Sequence, residues 1–104
     1  MGKKSSIESL TKLIVNVAIH KILVKHTNKP ESIGYLEYEI IEYRDIAITK
    51  AQEFNWNQED ISKIKTLSLN KLKKEIFKRY PDVNFPIGEA EEIIAETIDD
   101  VIKY

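Results

Sequence analysis

Between Ile7 and Ile22 the apolar residues recur on two interleaved rows: Ile7, Leu10, Ile14 and Val17, and Leu13, Ala18 and Ile22. Only Ser9, Lys12, Asn16 and His20 form a polar stripe. Steps of three and four mark a helix, and a helix that is apolar over most of its circumference belongs in a core. The many β-branched residues would also suit a strand. Length and the Ser5-Ser6-Ile7-Glu8 capping box favour a helix starting near Ser5. Residues 1–4 are expected to be disordered, and Thr27-Asn28-Lys29-Pro30 ends the helix.

Pro30 suits the first turn of a second helix. Its seam is Ile33, Leu36, Ile40, Tyr43, Ala47 and Phe54, with Ala51 alongside. Asn55-Trp56-Asn57 makes a corner, and Asn57 caps a third helix with Asp60 at its third position. The third seam is Ile61, Ile64, Leu69, Leu72, Ile76 and Tyr80. Thr66-Leu67-Ser68 is its weak point, where a bend or split near residues 66–68 is expected. Pro81 stops it, Asp82 to Phe85 is a loop, and Pro86 opens a fourth helix. There Ile87, Ala90, Ile94, Ile98 and Val101 face inward, with Ile93 and Ile102 beside them. The pattern predicts an all-α, up-down-up-down four-helix bundle, one domain over residues 1–104.

Charge adds an expectation about neighbours. Residues 1–30 hold six Lys and one Glu, a net +5. Residues 31–60 come to −6, residues 61–80 to +6 and residues 81–104 to −6. If every helix touched its neighbours in sequence and the first touched the last, each contact would pair opposite signs. Helices one and three are therefore expected on a diagonal, with acidic helices flanking both.

Composition excludes several classes of function. The chain has 104 residues, is 42% hydrophobic and 32% charged, and carries a net charge of −1. That fits a globular domain with one core and argues against a general polyanion binder, which is usually strongly basic. There is no cysteine, hence no disulfide, thiolate nucleophile or Cys-based zinc site. A reducing, cytoplasmic setting is compatible. The longest apolar run, Leu13 to Val24, is interrupted by Asn16, His20 and Lys21 and is too short to span a bilayer. No small-residue cleavage site follows it, so neither a membrane segment nor a signal peptide is expected. The three glycines are isolated, so no phosphate-cradling loop is expected, and no cofactor.

Three surfaces remain as candidates. Tyr35, Tyr38 and Ile46 lie on the side of helix two away from its seam. Tyrosine is large and amphipathic and costs little entropy to fix, which makes this a candidate protein-binding face. In an antiparallel homodimer of helix two, Arg44 would meet the partner's acidic residues; a basic foreign protein is the other option. Lys63, Asn70, Lys71, Lys74 and Lys78 form an outer stripe on helix three that can grip phosphates. A turn at residues 66–68 would make it resemble a helix-turn-helix in outline. The plainer reading is a solvated flank neutralised by acidic neighbours. Glu89, Glu92, Glu96 and Asp99 share one side of helix four, a candidate divalent-metal site for a hydrolase unless the lysines of helices one and three neutralise it. His20 and His26 are six apart, too far for a ligand pair on one helical face. The leading expectation is an accessory module without catalytic activity, self-associating or partner-binding through helix two. Nucleic-acid binding through helix three is the alternative, and metal-dependent hydrolysis the third reading.

Overall fold

Helix α1 runs from Lys3 to His26 and buries ten residues, from Ser6 and Ile7 to Ile19 and Ile22. At about 100° per residue these cover more than half its circumference. A computed structural model describes residues 2–26, 29–81 and 86–102, apart from the Ile87 side chain. After a 3₁₀ turn at Pro30–Ser32 come α2 (Ile33–Ala51), α3 (Gln58–Arg79) and α4 (Ile87–Ile102). The described residues form an all-α four-helix bundle around one core. None of these helices is long and apolar enough to cross a membrane.

Contacts along the helices fix their directions. The ring of His20 lies 5.4 Å from that of Tyr43, and Leu13 sits beside Ile46 and Thr49, so α1 and α2 are antiparallel. Lys21 Nζ donates to Thr97 Oγ1 at 3.1 Å while Lys25 reaches Glu89 at 3.1 Å, so α4 also runs against α1. Lys3 pairs with Asp60, and Thr11 and Lys12 lie beside Asn70, Lys71 and Lys74, so α3 runs with α1. The up-down-up-down order of directions follows.

Three of the four opposite-charge contacts that alternation suggests are present, α1 with α2, α3 with α4 and α1 with α4, but α2 and α3 are not neighbours and helices one and three are not on a diagonal. α1 packs on α2 most extensively, then on α3, then on α4. α4 also touches α2 and α3, whereas α2 and α3 share no substantial contact among the described residues. The ring is therefore α1-α2-α4-α3, basic α1 adjoins basic α3, and acidic α2 adjoins acidic α4. The magnitudes explain this. An exposed ion pair is worth well under about 1 kcal/mol. Burying one Leu, Ile or Val is worth about 1.5–3 kcal/mol. α1 has too much apolar circumference for two neighbours to cover, so three helices close on it. The minority charges then bridge the like-charged helices. Asp60 of α3 takes Lys3 of α1. Arg44 of α2 reaches Asp100 of α4 through Nε and, at 3.1 Å, through Nη2.

Three local expectations need correction. The helix starts at Lys3, not near Ser5, and Lys3 and Lys4 are helical rather than disordered. Lys3 is held at the end of the bundle by Asp60 and by the Trp56 ring, whose centroid lies 5.5 Å from its ammonium. Ser5 and Ser6 accordingly sit inside the helix instead of capping it. The third helix does not bend at residues 66–68. It is continuous, because Ser68 takes a core position in the four-step row Ile64, Ser68, Leu72, Ile76. Phe54 lies beyond the end of α2, in the corner, with its ring edge-on to Trp56 at 5.8 Å.

The corner at residues 52–57 carries the chain across the diagonal from α2 to α3. Trp56 plugs this end of the core and donates from Nε1 to the Ala51 carbonyl at 2.7 Å, satisfying a C-terminal acceptor of α2. The expected Asn57 cap is present in both directions. Asp60 N donates to Asn57 Oδ1 at 2.8 Å, and Asn57 N donates to Asp60 Oδ2 at 3.2 Å. Thr27, Asn28 and the loop from Asp82 to Phe85 lie outside the described residues.

Candidate interaction surfaces

α2 is the least buried of the long helices. Of its nineteen residues only Ala47, Ile48 and Ala51 are fully buried, all near its C-terminal end. The seam residues Ile33, Leu36, Ile40 and Tyr43 are half-buried. On the outer side Tyr35 is 66% exposed, Tyr38 59%, Ile41 58% and Ile46 53%. Ile41 escapes the sequence reading although it continues the three-residue step from Tyr35 through Tyr38, and its exposure is close to that of Tyr38.

The tyrosines are braced along their own helix. Tyr38 Oη donates to Glu42 Oε1 at 3.0 Å, and Tyr35 is bonded to Glu39 in the same way. Each hydrogen bond to a carboxylate, reinforced by its negative charge, raises the phenol above its ordinary range. The face is thus two aromatic rings set among Glu39, Glu42 and Asp45. At its far end Ile46 and half-buried Leu13 share a depression of about 370 Å³ with Asp45, Thr49, Lys50 and Glu53. Arg44 does not belong to this face. It is turned toward α4, bonded to Asp100, with Asp45 at 3.6 Å.

On the opposite corner of the bundle α3 presents Lys63, Asn70, Lys71, Lys74 and Lys78. Leu67, 38% exposed, sits among them, and Phe77, 83% exposed, flanks the stripe. Leu67, Asn70, Lys71 and Lys74 line a groove of about 430 Å³ with Glu8, Thr11 and Lys12 of α1. Acidic side chains do lie at this stripe: Glu8 of α1 lines the groove beside Lys71 and Lys74, and the charge of Lys63 acts on Asp60. Among the described residues Lys71, Lys74 and Lys78 form no ion pair, and acidic α2 lies across the diagonal. With no turn at residues 66–68, the helix-turn-helix outline is also gone. Leu67 and Phe77 were missed as surface residues. The signal was available: both fall off the α3 seam and among its lysines.

Glu89, Glu92, Glu96 and Asp99 do share one side of α4. Glu89 turns to α1, where Lys25 Nζ lies 3.1 Å and His26 Nε2 3.0 Å from Oε1. Among the described residues no three His, Asp or Glu side chains are placed to hold a metal ion. His20 sits with Nδ1 2.6 Å from the Asn16 carbonyl, beside the Tyr43 ring. His26 and Lys25 hold the Glu89 carboxyl below its ordinary range, as Lys3 holds Asp60 and Arg44 holds Asp100. A depressed carboxylate supports the fold above its unfolded pKa and lets go as pH falls through the folded one. These three pairs therefore hold at neutral pH and weaken below the usual carboxylate range of about 4. No family model, no curated protein and no solved structure matches the chain.

Proposed function

We propose that this chain is a protein-interaction module, without a catalytic centre of its own, that docks a partner protein or a second copy through the outer face of α2. One observation carries the reading: a helix with three buried residues out of nineteen exposes four large apolar side chains within four turns. A scattered exposed apolar residue needs no explanation, but a row of them rimmed by charge is the anatomy of an interface. Tyr38 and Tyr35, already held by Glu42 and Glu39, lose little freedom on docking. Covering the exposed part of each ring would contribute on the order of 1–2 kcal/mol. A cytoplasmic setting goes with this reading.

The test is the double substitution Tyr35→Ala and Tyr38→Ala, which keeps good helix formers at both positions. Light scattering of the wild type should show mass rising with concentration. The variant should stay at the monomer mass over the same range, with unchanged helical content by circular dichroism. A variant that associates as the wild type does would remove α2 as the docking face.

A further inference from the structure

The diagonal placement of α2 and α3 gives the molecule two unlike sides. On one corner Glu39, Glu42 and Asp45 surround Tyr35, Tyr38, Ile41 and Ile46. On the opposite corner Lys63, Lys71, Lys74 and Lys78 surround Leu67 and Phe77. Both are exposed helical faces of similar reach. Tyr35 to Ile46 spans about 16 Å and Lys63 to Lys78 about 22 Å, at 1.5 Å per residue. Each has an apolar part and a charged part, and the charges are opposite.

A two-fold contact of α2 with α2 fits less well. It would bring two acidic faces together, and Arg44, the side chain able to relieve them, is committed to Asp100 within its own bundle. A contact of α3 with α3 would oppose two lysine rows.

We infer that the partner of the α2 face is the α3 face of a second copy of this chain, in a head-to-tail contact. The inference rests on the reading of α2 as a docking face and supplies its cognate surface. In this contact Lys71, Lys74 and Lys78, spaced three and four, run along Glu39, Glu42 and Asp45, spaced three and three, while Leu67 and Phe77 meet the Tyr35–Tyr38–Ile41 side. The contact is heterologous, so a pair of copies keeps one free acidic face at one end and one free basic face at the other. It propagates unless the rotation closes a ring. Because it joins exposed charges, it weakens as salt shortens the screening length to about 10 Å at 0.1 M.

Two full-length variants test this. One has its α3 face neutralised by Lys71→Gln, Lys74→Gln and Lys78→Gln. The other has its α2 face removed by Tyr35→Ala, Tyr38→Ala, Glu39→Gln and Glu42→Gln. Five of the seven positions are exposed and Lys71 and Glu39 are half-buried, and circular dichroism checks that both variants keep the helical content of the wild type. Sedimentation at low salt should show the wild type growing with concentration and each variant alone at the monomer mass. Mixed one to one, the variants should form a dimer that grows no further, because only one intact acidic face and one intact basic face remain. Three outcomes would overturn the inference. The α3 variant could associate like the wild type while the α2 variant does not, which leaves α2 as a docking face with a different cognate. The mixture could stay monomeric. The wild type could stay monomeric to millimolar concentration, with the α3 face instead retarding DNA or RNA at physiological salt in a way that its three Lys→Gln changes abolish.

Discussion

Ile14→Ala should destabilise the protein by about 3–4 kcal/mol. Ile14 is fully buried on α1, the helix on which the other three close. Truncation removes the transfer free energy of three carbons and leaves a cavity that three packed helices cannot all fill. A domain of this size has a total stability of about 5–15 kcal/mol, so the loss is a large fraction of the whole. By the usual scaling for 60–100 residues it lowers Tm by about 15–25 °C. Ile41→Ala and Ile46→Ala, on the outer face of α2, should each change stability by less than about 0.5 kcal/mol. Urea unfolding followed by circular dichroism compares the three at low protein concentration, where association does not contribute. Equal losses at Ile14 and Ile41 would contradict the placement of α1 at the centre.

Ser68→Ala should stabilise the protein by about 1–2 kcal/mol. Ser68 is fully buried on the core row of α3, and its hydroxyl has no hydrogen-bond partner among the described residues. Burying an unpaired hydroxyl costs about 1–3 kcal/mol. Removing one oxygen leaves little empty space, and alanine is the better helix former by roughly 0.5 kcal/mol or less. Thr11 Oγ1 on α1 is in the same condition, so Thr11→Val should act in the same direction. Thr97 is the control. Its Oγ1 donates to the Ile93 carbonyl at 2.7 Å and accepts from Lys21 at 3.1 Å, so Thr97→Val should destabilise. A Ser68→Ala variant that melts below the wild type would show that the hydroxyl is satisfied.

The four helices were legible because each carries a strong apolar period with punctuation at its ends. Asn57 with Asp60 fixed the start of α3, and Pro81 lies two residues past its end. The arrangement of the helices was only partly legible from charge, which misplaced the α1–α3 and α2–α3 relations. Net charge per segment counts side chains that point to solvent, and their pairings are too weak to outvote apolar area. The better guide was in the same residues: the nearly all-round apolar pattern of α1 already demanded three neighbours. Ser68 misled for a related reason. A serine inside a helix is expected to compete with the backbone, and here it occupies the core row without doing so. At the surface, Tyr35, Tyr38 and Ile46 were found as off-seam apolar residues, whereas Leu67 and Phe77 were overlooked among lysines. The partners of Arg44 and Glu89 depend on which helices adjoin, which no local pattern encodes.

The central claim is that the outer face of α2 is where this protein is docked. Chemical-shift mapping tests it most directly, comparing amide spectra of isotope-labelled protein in dilute and concentrated solution. The account predicts that resonances of Tyr35, Tyr38, Ile41 and Ile46 shift or broaden with concentration while those of core residues such as Ile14, Leu72 and Ile94 stay fixed. Concentration-dependent changes that spare α2 and gather on other elements would contradict it.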